Sequence, residues 1–151
     1  MLKQPQLDKT DLAILRILQE NARTPLKVIS ERTFVSAPTV AARIQSLEKM
    51  GVLTGYHAEV NNKLLGNTVR SFINLEVNPS RKAELYPFLE KTRNVLACDH
   101  VTGEYSLLIE TIFEDTDALN KFIGKLQEFG RTKTQIVFST VVPHRGFIDE
   151  K

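Results

Sequence analysis

The stretch Ser36–Gly51, "SAPTVAARIQSLEKMG", decides how the first third of the chain folds. Ser36 is a helix N-cap residue, and Gly51 suits the left-handed position just past a helix C-terminus. At about 100° per residue, Val40, Ile44 and Leu47 form one inward stripe, while Pro38, Thr39, Ala42, Gln45, Ser46 and Lys49 point away. A solvated helix usually carries long charged side chains on its outer face; here they are small or short and polar. Such a face lets a helix sink into a major groove, where Thr39, Gln45 and Ser46 supply donors and acceptors and Ala42 leaves room or meets a thymine methyl. The helix start, from Ser36 through Ala37 and Pro38 to Thr39, offers N–H groups to a phosphate. Arg43 lies at the flank of the stripe and reads either as a phosphate contact or as half of a structural ion pair.

Upstream, Asp8 caps a first helix with Asp11 three residues on, and Leu12, Ile14, Leu15, Ile17 and Leu18 recur at helical spacing. In "NARTP", Thr24 is expected to cap a short second helix with Pro25 in its first position, followed by Leu26, Val28 and Ile29. "TFVS" breaks that helix. Three helices within about fifty residues, joined by short turns, are a helix-turn-helix signature. Arg23, Lys27, Arg32 and Lys49 are candidate phosphate contacts, with Thr24 beside them; each cation also reads as an ordinary surface charge. A three-helix bundle of this kind also serves as a dimerisation or docking module.

Downstream, "VLTGYHAEV" holds two short extended runs around Gly55, expected as a small hairpin or wing, and "NNKLLGN" reads as a linker. The domain boundary is placed at 65/66. Beyond it, Val69, Ser71, Ile73, Leu75 and Val77 alternate with Phe72, Asn74 and Glu76, a strand period. A helix over about 80–92 follows, which Pro87 is expected to kink or split. "VLACDHV" and "YSLLIETIF" form a hairpin around "TGE". Asp115 or Asp117 then caps a helix striped with Leu119, Phe122, Ile123, Leu126 and Phe129 and ending at Gly130, before a last strand "TQIVFSTVV" closed by Pro143. The β-α-β-β-α-β order predicts an α+β chain: a winged helix-turn-helix over 1–65, then a ferredoxin-like domain over 66–151 with two helices on one face of a four-stranded antiparallel sheet. Phe72, Leu108, Ile112, Val137 and Val141 are candidates for the uncovered face, which a second copy would bury.

The 151 residues carry a net charge of +2 and are 42% hydrophobic, with a pI near 8.7, so bulk charge neither demands nor excludes nucleic acid. One cysteine, Cys98, excludes an internal disulfide and a cysteine-rich zinc site. The start lacks the apolar run of a secretory signal, and no stretch approaches the roughly 20 apolar residues that span a bilayer. A cytoplasmic protein with no membrane partner, no metal and no cofactor is expected.

The run from "LDKTDLAILRILQENAR" through Ser36–Glu48 to "GVLTGY", continued by "VTGEYSLLIETIFEDTDALNKFI" and "TKTQIVFS", resembles the Lrp/AsnC transcription regulators over nearly the whole chain. The resemblance implies a homodimeric unit that assembles further, often to an octamer, and binds double-stranded DNA through the winged helix-turn-helix. It also implies an amino-acid effector held between dimers at the central hairpin turn, which maps onto Val101, Thr102, Gly103, Glu104, Tyr105 and Ser106, with Thr132 and Thr134 nearby. Gly103 would permit close backbone approach, and adjacent N–H groups could hold a carboxylate. Two positions depart from the pattern. Ser106 stands where many members carry a second acidic residue, and Phe34 stands where a small or polar turn residue is more usual.

Two other readings compete. An architectural protein that bridges DNA without an effector would use the same helix. An enzyme related to haem-pathway decarboxylases would draw on Cys98 and His100, two apart on one strand face; a buried Cys98 and an interface His100 are the expected roles instead.

Overall fold

A computed structural model describes residues 5–148. The chain divides after Glu59: the residues before it, with the stretch from Val142 onward, form one compact unit, and Val60–Val141 forms the other. This division differs from the boundary at 65/66 in both places, because the chain's end belongs with its beginning: Ile148 packs on the first unit's core and Gly146 lies against Gln19.

The first unit holds α1 (Lys9–Glu20), α2 (Leu26–Thr33) and α3 (Ala37–Lys49). Asp8 and Asp11 form a reciprocal capping box at the start of α1. Pro25, extended with ψ 145°, is the N-cap of α2 and makes no side-chain cap, so the expected Thr24 cap is displaced. The Thr24 hydroxyl donates instead to the Asn21 carbonyl at 2.7 Å. Ser36 caps α3, and Gly51 follows it with φ 70°. Ile14, Leu15, Ile17, Leu18, Ile29, Val40 and Leu47 are buried together, with Ile44 partly buried against them. The expected hairpin around Gly55 does not form; no strand is present over 52–60. The Val52 and Leu53 N–H groups turn back to the Leu47 carbonyl instead. Tyr56 donates to Glu48 at 2.8 Å, and burial, then this carboxylate, pushes its pKa up to about 12. The expected linker is a 3-10 turn, Asn62–Leu65, capped by Asn61 and stopped by Gly66 at φ 86°.

The second unit runs β1 (Val69–Val77), α4 (Lys82–Lys91), β2 (Val95–His100), β3 (Leu107–Phe113), α5 (Thr116–Gln127) and β4 (Gly130–Ile136), with sheet order β2-β3-β1-β4, all antiparallel. Ser71, Ile73, Leu75 and Val77 face the helices and are buried, as their alternation predicts. Leu85 and Leu89 of α4 and Leu119, Phe122 and Leu126 of α5 close that core. Pro87 lies inside α4 without splitting it. Pro87 and Ala83 are both exposed, so the carbonyl left without its helical partner faces water. Asp115 caps α5. The last strand starts four residues earlier than expected, because Gly130 opens β4 opposite Val77 and does not cap α5. As a result Val141 lies beyond the sheet, 92% exposed; Phe72 and Leu108 are on the uncovered face, and Ile112, paired with Arg70, shares that side of β3 although little of it is exposed. Among the described residues no helix is long and apolar enough to cross a membrane.

Candidate nucleic-acid interface and effector pocket

The outer face of α3 is as the helical wheel places it. Pro38, Thr39, Ala42, Gln45, Ser46 and Lys49 are exposed, and Ala37 is half-buried. The helix start offers fewer N–H groups than expected. Pro38 has none, and the Thr39 N–H donates to Ser36 Oγ at 3.3 Å. Ser36 and Thr39 hydroxyls also share a hydrogen bond of 2.8 Å.

Arg43 makes the structural ion pair that its place at the flank of the stripe allows. Its Nη1 lies 2.7 Å from Asp8 and 2.8 Å from Asp11, so it ties α3 to the capping box of α1 and is spent on that contact. Arg32 is likewise held by Glu20 at 3.0 Å. Arg23, Lys27 and Lys49 are exposed, and Thr24 is half-buried.

The Asp8 contacts carry a pH dependence. The hydrogen bond from the Asp11 backbone N–H, then that from the Arg43 guanidinium, lower the Asp8 pKa. A carboxylate lowered on folding contributes stability above its unfolded pKa and loses it as pH falls through the folded value. Arg43→Met, which keeps the apolar stem, is therefore expected to melt below the parent at pH 7, with the gap closing below about pH 4. Thermal melts across that range check this. An equal gap at both ends would assign the effect to packing.

In the second unit, a shallow concavity of about 570 Å³ lies on the uncovered sheet face, lined by Phe72, Asn74, Glu104, Tyr105, Leu108, Lys133 and Gln135. Glu104 and Tyr105 are thus brought into it. Val101, Thr102 and Gly103 form the exposed turn beside it, with Gly103 at φ 113°. Ser106 serves the backbone: its Oγ accepts from the Val77 N–H and donates to the Leu75 carbonyl, both at 3.3 Å. Thr132 and Thr134 pair with Leu75 and Ile73, so they share the helix-covered face and point away from the concavity.

Sequence reasoning missed Arg131, Lys133, Asn74 and Gln135. Arg131 bridges Glu76 at 3.0 Å and Glu104 at 2.8 Å and lies 5.1 Å above the Tyr105 ring. These carboxylates raise its pKa and keep it cationic. Asn74 donates to Gln135 at 3.3 Å. What brings Arg131, Lys133 and Gln135 to one face with Phe72 and Asn74 is the β1–β4 register, which pairs Arg131 with Glu76, Lys133 with Asn74 and Gln135 with Phe72.

Cys98 is exposed, not buried as expected. Desolvation by its neighbours, then the charge of Asp99, raise its pKa, which disfavours the thiolate a nucleophile needs. His100 meets the Tyr86 hydroxyl at 3.1 Å. Among the described residues no cluster of three or more His, Cys, Asp or Glu could hold a metal.

Residues 7–54 match the winged helix-turn-helix DNA-binding family, and residues 70–147 match the Lrp/AsnC ligand binding domain. The HTH-type transcriptional regulator Ptr1 of Methanocaldococcus jannaschii is 35% identical over 119 residues, 79% of this chain and 80% of its own. A feast or famine regulatory protein from M. tuberculosis, solved in complex with L-methionine, superposes with a TM-score of 0.89 at 26% identity, over 95% of this chain and all of its own. A transcriptional regulator of Neisseria meningitidis, also solved with L-Met, gives 0.88 at 25% identity over 95% and 97%. With a helix-turn-helix followed by a βαββαβ sheet carrying a polar concavity, this chain belongs to the Lrp/AsnC family of transcription regulators.

Proposed function

We propose that the protein binds duplex DNA through Thr39, Ala42, Gln45 and Ser46 of α3, and that a small amino acid bound near Glu104 modulates it in an assembly of copies. The observation that carries the first part is the division of labour on α3: Arg43 is held by the carboxylates of Asp8 and Asp11, while Thr39, Ala42 and Ser46, with Gln45, leave the middle of the exposed face free of long charged side chains. Arg23, Lys27 and Lys49 supply the phosphate contacts.

The effector reading rests on Arg131 and Glu104. Their ion pair is a ready exchange partner for a zwitterion: an incoming carboxylate takes Arg131 and an incoming ammonium takes Glu104, so each charge finds a new partner. Lys133 stands beside them on β4 as a further cation, and Phe72 and Leu108 offer apolar surface for a side chain. The relatives solved with L-methionine support an amino acid as the class. Phe72 and Leu108 also support a second copy over the same sheet face, and the family resemblance extends the assembly to an octamer. Cys98 and His100 take no part in catalysis in this reading.

A panel of amino acids tests it by thermal shift, light scattering and affinity for duplex DNA. Ligand at 100 times Kd stabilises a native state by about 2.7 kcal/mol, a shift well within reach of a melt. At least one amino acid is expected to raise the melting temperature and change DNA affinity or particle size. A flat panel with DNA binding intact would favour the architectural reading.

A further inference from the structure

Among the described residues Phe34 is the only non-glycine with positive φ, at φ 57° and ψ 31°. That conformation crowds the Cβ of an L residue and is unusual for one so bulky. The side chain gains nothing in return within the chain, because Phe34 is 94% exposed. The surroundings nevertheless enforce it. Ser30 Oγ donates to the Val35 carbonyl at 2.5 Å, Thr33 Oγ1 donates to the Ile29 carbonyl at 2.7 Å, and Val35 packs on the core of the first unit. With its neighbours pinned on both sides, the turn between α2 and α3 has one direction left for the ring, which is outward. A strained, solvent-exposed aromatic whose conformation is imposed from both sides points to a partner that repays it.

We propose that Phe34 is a DNA-contacting residue that packs against deoxyribose and thymine methyl groups at the edge of the groove entered by α3. This rests on the DNA-binding reading of α3. Phe34 precedes the Ser36 cap by two residues, in the turn that leads directly into the end of α3 bearing Pro38 and Thr39. It carries no donor or charge, which leaves the apolar parts of the duplex as its targets. Such a contact strengthens binding without releasing counterions, unlike one made by Lys27 or Lys49.

The test uses the full chain, a duplex recovered by in vitro selection with the parent protein, and a random-sequence duplex. Phe34→Gly removes the ring and frees the backbone; Phe34→Asn keeps a residue that tolerates the left-handed region. Both variants are expected to melt at or above the parent temperature, to bind the selected duplex about tenfold more weakly, and to keep the parent slope of log affinity against log salt. Affinity within twofold of the parent would overturn the proposal. A weaker affinity that tracks a change in particle size by light scattering would also overturn it, by assigning the ring to a contact between copies. A slope reduced by one ion would do the same, by assigning the loss to phosphate. If the parent itself binds neither duplex, the reading of α3 fails as a whole; if the parent binds and both variants match it, only the role of Phe34 fails.

Discussion

Ser46→Glu is expected to lower affinity for duplex DNA by about two orders of magnitude or more while leaving the fold and the particle size unchanged. Ser46 is exposed and follows Thr39 and Ala42 along the outer face of α3, one residue past Gln45. A carboxylate placed there would face phosphates and acceptor-rich base edges. At about 5 Å and an effective dielectric near 20, one charge repels another by about 3 kcal/mol, which is over a hundredfold in an equilibrium constant. The folded chain does not feel this. Glu is at least as good a helix former as Ser, and the residue makes no contact with the core, so the melting temperature should shift only slightly. Ser46→Ala, which removes a hydroxyl without adding charge, should cost far less, within the roughly 1–3 kcal/mol of a single base contact. Fluorescence anisotropy against labelled duplex, with light scattering on the same samples, reads all three. Affinity of Ser46→Glu equal to that of the parent would remove α3 from the interface.

The parts of the fold legible in the sequence are those that local chemistry specifies. Asp8, Ser36 and Asp115 mark helix starts because the carboxylate or hydroxyl bonds an N–H within the same turn. The alternation from Val69 to Val77 specifies which side of β1 is buried. The exposed face of α3 follows from three inward positions, Val40, Ile44 and Leu47, and a rotation angle. What was not legible depends on partners distant in sequence. Arg43 met Asp8 and Asp11, more than thirty residues away, and only the packing of α3 on α1 decides between that pairing and a phosphate.

The concavity shows the same limit more strongly. Glu104 came from the family resemblance, but Arg131 and Lys133 join it only through the β1–β4 register, which the alternation of either strand alone does not contain. Thr132 and Thr134, which the family resemblance puts near the turn, lie on the helix-covered face, and the start of β4 was placed four residues late. Glycine was the source of that error. It ends helices by adopting positive φ, and it also permits close backbone approach; Gly130 does the second, and sequence alone does not distinguish them.

That role makes Gly130→Ala the second large effect. A Cβ at this position would lie 1.9 Å from the Glu76 carbonyl oxygen, 2.9 Å from its carbon and 3.2 Å from the Val77 Cα. All three are backbone atoms of β1, so no side chain can swing away, and the strands must part. Separation would strip the pairings of Gly130 with Val77 and of Arg131 with Glu76, together with the Asn78 N–H bond to the Phe129 carbonyl. Overpacking against a movable core costs about 1–3 kcal/mol; against fixed backbone the cost should reach or exceed the top of that range. Arg131 would also leave Glu76 and Glu104, so any amino-acid response that depends on the concavity should vanish even in protein that remains folded. Gly124→Ala is the matched control. Gly124 is exposed within α5, with nothing within 4 Å of its added Cβ, so alanine there should stabilise by about 0.5–1 kcal/mol through helix propensity. Urea melts of the two variants should therefore move in opposite directions from the parent. A Gly130→Ala midpoint equal to the parent's would mean that the β1–β4 junction yields freely and that the position of Arg131 does not depend on it.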